Sequence, residues 1–227
     1  MNRFFAVAWV VMRKDIMVEA RSREIVYTTL FFGVSCVLVF AFALVREGQP
    51  MEDAAAGILW IAIAFAGTLA LGRTFERERH TETLRALMLA PSDRPAIYVG
   101  KLSGIVALLL GVELVLVPLV GVLFDARFAA SLTWLGILLV AGTLGFASVG
   151  TLFAAMLVRA RSRDVLLPVL LYPITIPVII AGVRGTGALL QATPDLPMAR
   201  FWASLLVFFD VVFVTLALWT FEPLMTD

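Results

Sequence analysis

Six long apolar runs separated by short polar segments dominate the pattern along the chain. A helix rises 1.5 Å per residue, so about 20 apolar residues cross a hydrocarbon core about 30 Å thick. Because backbone groups inside a bilayer must pair within their own segment, runs of this length are predicted to be helices. The predicted spans are residues 25–45, 54–72, 102–124, 132–158, 165–183 and 201–221.

An amphipathic pattern fills residues 1–24, before the first span. One face at helical spacing is apolar, and it is formed by Phe5, Trp9, Met12, Ile16 and Ala20. Basic side chains, among them Arg3, Lys14 and Arg21, lie on the other face. This pattern predicts a helix that lies along the membrane interface. An unstructured basic tail is the alternative.

The composition supports an integral membrane protein with one domain, residues 1–227. Of the 227 residues, 61% are hydrophobic and 15% are charged, whereas a soluble domain is about half apolar and about a quarter charged. The net charge of +1 gives no indication of nucleic-acid binding. One cysteine, Cys36, and one histidine, His80, argue against a metal or heme site held by these side chains. We therefore expect this chain itself to bind no cofactor.

The positive charges are distributed unevenly between the two sides of the predicted bundle. Fourteen of the 18 Lys and Arg residues lie before the first span, between spans two and three, or between spans four and five. The other four are Arg46, Arg127, Arg184 and Arg200. The positive-inside rule therefore places the N-terminus in the cytoplasm, and an even number of spans returns the C-terminus to the same side.

The longest polar stretch, residues 73–101, begins with dense mixed charge and ends apolar. Glu82 and Arg85 stand at i,i+3 spacing, which favours a helix, and Pro91 would end it. A helix held at the cytoplasmic surface between two spans could couple them to a soluble partner. An ordinary solvated loop is the alternative, because charge runs are often only that.

Two carboxylates, Glu113 and Asp210, lie at membrane depth. A charge at the centre of a span costs about 2.5–3.5 kcal/mol, so each needs a proton, a partner or a water-filled cavity. A functional interpretation places them on an internal pathway or at a gate. A protonated side chain that is hydrogen-bonded across a helix interface is the alternative.

The fifth predicted span carries three prolines, and the fourth is rich in small residues. A proline removes a backbone donor and clashes with the preceding turn, so this span is predicted to be kinked or broken, as in moving transporter helices, or bent but static. The three are Pro168, Pro173 and Pro177. The pairs Ala141/Gly145 and Gly150/Ala154 allow close helix packing in span four.

The sequence matches no nucleotide-binding motif. Gly100-Lys101 lacks the preceding glycine of a phosphate-binding loop. Any active transport is therefore expected to draw its energy from a separate polypeptide.

Several short motifs, in order along nearly the whole chain, resemble the heme exporter protein B (CcmB) family of cytochrome c maturation. They are Gly57-Ile-Leu-Trp60, Phe75-x-x-Glu78, Leu84-x-x-Leu87-Met-Leu-Ala-Pro91, Ile97-Tyr-x-Gly-Lys101, Glu113 with Pro118, Gly142-Thr-Leu-Gly145, and Arg161-Ser-Arg-x-Val-Leu-Leu-Pro168. One departure lies in the coupling segment, where Thr81 and Glu82 replace the second acid and the glycine of the family's pattern.

The resemblance implies an all-α ABC-2 (type V exporter-like) permease with an interfacial N-terminal helix and a coupling helix, in the bacterial inner membrane. Two copies would meet two copies of a cytoplasmic ABC ATPase subunit (CcmA-like), which binds the ATP. A heme-handling membrane protein (CcmC-like) and a small membrane subunit (CcmD-like) would join them, with heme as possible cargo. The chain would be no enzyme itself. Its ATPase-coupling residues would be Phe75, Glu78, Leu84, Leu87 and Pro91.

The same resemblance makes Trp60 a further intramembrane candidate, beside the two carboxylates and the three prolines. ATP hydrolysis would drive heme export, or release of a heme-loaded periplasmic chaperone. A generic ABC-2 exporter of lipid or drug would share the six spans, and a non-transporting membrane anchor for the ATPase is another alternative.

Overall fold

The computed structural model describes residues 2–46, 49–50, 54–81, 94–157, 160 and 162–226, and long helices make up almost all of them. A β-bridge of two residues on each side joins the first two spans. In chain order the elements are α1 (Asn2–Ser22), α2 (Glu24–Ala43), β1 (Val45–Arg46), β2 (Gln49–Pro50), α3 (Ala55–Thr81), α4 (Arg94–Leu123), a 3-10 turn (Phe128–Ser131), α5 (Leu132–Met156), α6 (Arg163–Leu189) and α7 (Leu196–Thr226).

Six of these helices, α2 to α7, are long and apolar enough to cross a membrane, which confirms the predicted number of spans. Their bounds differ from the predicted ones. Helix α4 begins at Arg94 instead of residue 102, α6 extends to Leu189 instead of residue 183, and α7 covers Leu196–Thr226 instead of residues 201–221. Apolar runs mark only the part of a helix in hydrocarbon, while polar residues can continue the same helix beyond it.

Large apolar side chains cover the outer surface of the bundle. Phe31, Phe42 and Trp219 are 75%, 79% and 82% exposed. An apolar surface of this kind would be unfavourable in water, and it is what a lipid-facing surface requires.

Helix α5 forms the centre of the bundle and is more fully buried than any other span. Its small residues let neighbouring helices approach closely. Gly150 faces Leu71 of α3, and Gly145 faces α7 on another side. A Cβ at Gly150 would overlap Leu71 Cδ1, so a larger residue here would force the Leu71 side chain to shift.

The predicted N-terminal helix is present as α1, so the alternative of an unstructured tail is wrong. Ala8 and Val11 are buried against Gly100 of α4, where an added Cβ would lie 2.6 Å from the Ala8 carbonyl oxygen. On the other side of α1, Phe5 and Trp9 of the predicted apolar stripe are 62% and 61% exposed. They are free to insert into the headgroup region while α1 packs on α4.

Helix α6 continues through all three of its prolines, from Arg163 to Leu189. The prediction of a broken helix is therefore wrong. Each proline removes a single backbone bond, and the bonds on either side keep the helix together within a packed bundle. Pro173 and Pro177 are exposed on the outer surface, and Pro168 is half-buried.

Candidate functional site

Glu113 of α4 is buried inside the bundle, with 3% of its surface exposed. The Thr143 hydroxyl of α5 donates a hydrogen bond to Glu113 Oε1. The second carboxyl oxygen, Oε2, is buried without a hydrogen-bond partner among the described residues. The hydrogen bond across a helix interface is the arrangement expected of a structural carboxyl group. A structural role does not account for the burial of Oε2 without a partner.

Asp210 of α7 faces α5 from a different side than Glu113 does. It is 7% exposed, and its Oδ1 is buried with no hydrogen-bond partner in the described part of the chain. A Cβ at Gly145 of α5 would lie 2.7 Å from this oxygen, so the glycine makes room for the carboxyl group. Thr143 and Gly145 are two residues apart, which is about 3 Å along a helix and about 200° around it. Glu113 and Asp210 therefore flank α5 at one depth, from different sides.

An unsatisfied buried polar group costs about 1–3 kcal/mol, so two such carboxyl oxygens at one depth lower the stability of the folded protein substantially. An unsatisfied group of this kind in a folded protein needs an explanation, and a functional role is one of them. This level of α5, between Glu113 and Asp210, is the candidate intramembrane site. Among the described residues, no three His, Cys, Asp or Glu side chains lie close enough together to hold a metal ion.

Trp60 of α3 occupies a slot between two other helices. Its ring packs against Gly142 of α5 and Gly182 of α6, and a Cβ on either glycine would overlap the indole. Its Nε1 donates a buried hydrogen bond of 3.0 Å to Thr186 Oγ1 of α6. The largest side chain therefore fills the space left by the smallest residues, and Trp60 joins three spans.

The predicted coupling residues lie only partly within the described structure. Phe75 and Glu78 fall on the last turns of α3, which continues to Thr81. Leu84, Leu87 and Pro91 lie outside the described residues. The predicted segment 73–101 is therefore divided, since its first residues belong to α3 and residues 94–101 already belong to α4.

One pair that the sequence pattern did not reveal joins α1 to α4. Lys101, the last residue of the predicted cytoplasmic segment, belongs to α4 and is 2% exposed. Its Nζ lies 2.7 Å from Asp15 Oδ2, and Lys14 Nζ lies 2.9 Å from Asp15 Oδ1. A lysine can be buried here because the carboxylate of α1 balances its charge. The apolar positions around Gly100-Lys101 were the available signal, since a lysine among them needs a partner.

The corner between α1 and α2 is held by another carboxylate. Arg23 occupies the left-handed region with φ 54°, which turns the chain between the helices. Glu19, at 9% exposure, accepts a hydrogen bond of 2.9 Å from the backbone N–H of Val26, in the first turn of α2. A negative group at the start of a helix also interacts favourably with the helix dipole.

At the opposite end of the bundle, the loops that follow α4 and α6 surround a cavity of about 590 Å³. Asp125, Arg127 and Gln191 supply its polar side chains, and Ala56 of α3 forms part of its wall. The opposite charges of Asp125 and Arg127 favour no single sign of ligand.

Comparisons with known proteins find similarity to one family along most of the chain. The family model described as "CcmB protein" matches residues 6–223. A protein named heme exporter protein B from Rhodobacter capsulatus is 31% identical over 170 residues, which cover 73% of this chain and 77% of that protein. Its namesake from Escherichia coli K12 is 30% identical over 203 residues, covering 87% and 88%. The one from Pseudomonas aeruginosa is 26% identical over 183 residues, covering 81% of each chain.

Proposed function

Because the chain belongs to the CcmB protein family, we propose that it is the permease subunit of an ATP-driven ABC exporter complex that acts in heme export and cytochrome c maturation. The observation that carries this proposal is the family match over residues 6–223, which includes all six candidate spans. ATP is bound and hydrolysed by a separate cytoplasmic ATPase subunit. ATP hydrolysis drives heme export, or release of a heme-loaded periplasmic chaperone.

The proposal is tested by deleting the gene in its host and staining membrane proteins for covalently bound heme. Covalent heme in c-type cytochromes should disappear, whereas b-type cytochromes, whose heme is not covalently attached, should stay at their usual level. A plasmid copy should restore the c-type signal. Normal c-type cytochromes in the deletion strain would contradict the function.

The complex is proposed to lie in the bacterial inner membrane, with both termini of this chain in the cytoplasm. The charge distribution supports this, since the side with α1 and the segment between α3 and α4 carries most of the Lys and Arg residues. The cavity lined by Arg127 would then open to the periplasm.

Topology is tested with a reporter enzyme that is active only in the periplasm. Fusions after Gly48 and after Ala192 should be active, because both positions lie in connections on the sparsely charged side. Fusions after Ser92 and Ser162 should be inactive at equal protein level. An active fusion at Ser92 would overturn the orientation.

The partners are proposed to be the cytoplasmic ATPase (CcmA-like), a heme-handling membrane protein (CcmC-like) and a small membrane subunit (CcmD-like), with two copies of the permease. The ATPase would dock on the segment that contains Phe75, Glu78, Leu84, Leu87 and Pro91. The continuation of α3 to Thr81, beyond its apolar part, supports a docking element at the membrane surface.

Docking is tested by charge changes in this segment. Glu78→Arg and Leu84→Asp should each abolish ATPase recovery with the permease, because a mispaired charge at an interface costs about 2–5 kcal/mol, at least about a thirtyfold loss of affinity. Glu47→Arg, a matched reversal on the opposite side, should leave recovery unchanged. Normal recovery with both docking variants would identify the segment as an ordinary loop.

A further inference from the structure

The interfacial helix α1 is attached to the spans at two separate points. Near its middle, Asp15 pairs with the buried Lys101 of α4. At its end, Glu19 holds the first turn of α2 through Val26. Helix α1 therefore bridges α4 and α2, and each attachment is made by a carboxylate of α1.

The attachment to α4 is close and directional. Gly100 brings the two backbones together, since a Cβ there would lie 2.7 Å from Val11 Cβ. An ion pair that is largely shielded from water depends on the distance and direction between its groups, so it fixes the register of α1 along α4. Anchoring to lipid needs no such pair, because Phe5 and Trp9 already provide an exposed apolar surface.

The position of Lys101 connects this attachment to the proposed docking segment. Helix α4 begins at Arg94, directly after that segment, and Lys101 lies seven residues further along. At 1.5 Å per residue this is about 10 Å from the helix start, so a displacement of the start of α4 is transmitted to Lys101 within two turns.

We propose that Asp15 and Lys101 are positioning residues that make α1 and α4 move as one body. A displacement that the ATPase imposes on the docking segment then reaches α2 through α1 and the Glu19 corner. This inference rests on the proposed function, and it adds a second route of coupling besides the direct connection of the segment to α3 and α4.

The chain offers a covalent replacement for the ion pair. A Cβ at Gly104 would lie 3.7 Å from Asp15 Cβ, close to the average Cβ separation in disulfides. In a Cys36→Ser background, which removes the only native thiol, Asp15→Cys with Gly104→Cys can therefore lock α1 to α4 without the ion pair.

The experiment uses the whole complex, purified with its ATPase in lipid discs, and measures heme-loaded chaperone released per ATP hydrolysed. Asp15→Asn should lower this ratio about tenfold, the scale of a coupling free energy between sites, while ATP hydrolysis continues. The double-cysteine complex should match the Cys36→Ser parent when oxidised. After reduction it should fall to the level of Asp15→Asn.

Two controls separate coupling from folding. Reduction follows purification of the oxidised, folded complex, so a defect in folding cannot account for the fall. Lys14→Met removes the more exposed cation on Asp15 and should keep the parental ratio. Unchanged release per ATP after reduction, or in Asp15→Asn, would overturn the inference while leaving the proposed function intact. An unaltered complex that releases no chaperone would contradict chaperone release, and with it this inference.

Discussion

Trp60→Ala is expected to destabilise the bundle so strongly that little folded protein is recovered from the membrane. The indole fills a slot formed by Gly142 and Gly182 on two other helices, and neither glycine has a side chain that could fill the space left behind. Replacement of a buried Trp by Ala costs about 3–5 kcal/mol, a large part of a typical stability of about 5–15 kcal/mol. Yield and thermal stability in detergent measure this loss.

Two variants calibrate this result. Trp60→Phe keeps most of the ring volume but loses the hydrogen bond to Thr186, so a smaller loss of about 1–3 kcal/mol is expected. Trp219→Ala removes an indole that is 82% exposed and should leave the stability close to the parent value. If Trp60→Ala were as stable as Trp219→Ala, the slot between the three spans would not hold the bundle together.

Glu113→Leu is expected to reduce cytochrome c maturation about tenfold or more, whereas Glu113→Gln should retain at least partial activity. The Thr143 hydroxyl donates to Glu113 Oε1, and the carboxamide oxygen of Gln can accept the same hydrogen bond. Leu removes that acceptor and leaves the Thr143 hydroxyl unpaired between α4 and α5. A loss of about 1.4 kcal/mol shifts the equilibrium that holds these two helices in the working arrangement about tenfold, within complexes that are still assembled. Covalent heme in c-type cytochromes, divided by the amount of assembled complex, is the measurement.

The companion variant is Thr143→Val, which removes the donor while keeping the volume similar. It should reproduce the defect of Glu113→Leu if the hydrogen bond is what matters. If Gln and Leu failed equally in fully assembled complexes, ionisation of Glu113 during turnover would be the function of this residue, and a hydrogen-bonding role would be wrong.

The six apolar helices and the N-terminal helix were predictable because their signals are local. An apolar run of about 20 residues and an apolar stripe at helical spacing can be recognised without any knowledge of neighbouring helices. The helices α4 and α6 extend beyond the predicted spans, since Arg94 to Lys101 and Arg184 to Leu189 continue them past the purely apolar part. An apolar run indicates which residues suit the hydrocarbon core, and it gives no information about where the helix ends.

The partners of the buried side chains could not be predicted, because each lies far away in sequence. Lys101 is 86 residues from Asp15, and Trp60 is 126 residues from Thr186. The sequence singled out Glu113 and Asp210 by their cost in a membrane, yet it contains no sign that α5 lies between them. The three prolines could not tell a broken helix from a kinked or bent one, and packing keeps α6 continuous through all of them.

Co-purification tests the central claim most directly. An affinity tag on this chain should recover, from mild detergent, an ABC ATPase subunit in equal amount, together with ATP hydrolysis that an ATPase inhibitor abolishes. Glu78→Arg should lose the ATPase while the permease itself is recovered at the normal level. A permease that is recovered intact, without any ATPase and without ATP hydrolysis, would contradict its assignment as the membrane subunit of an ATP-driven exporter.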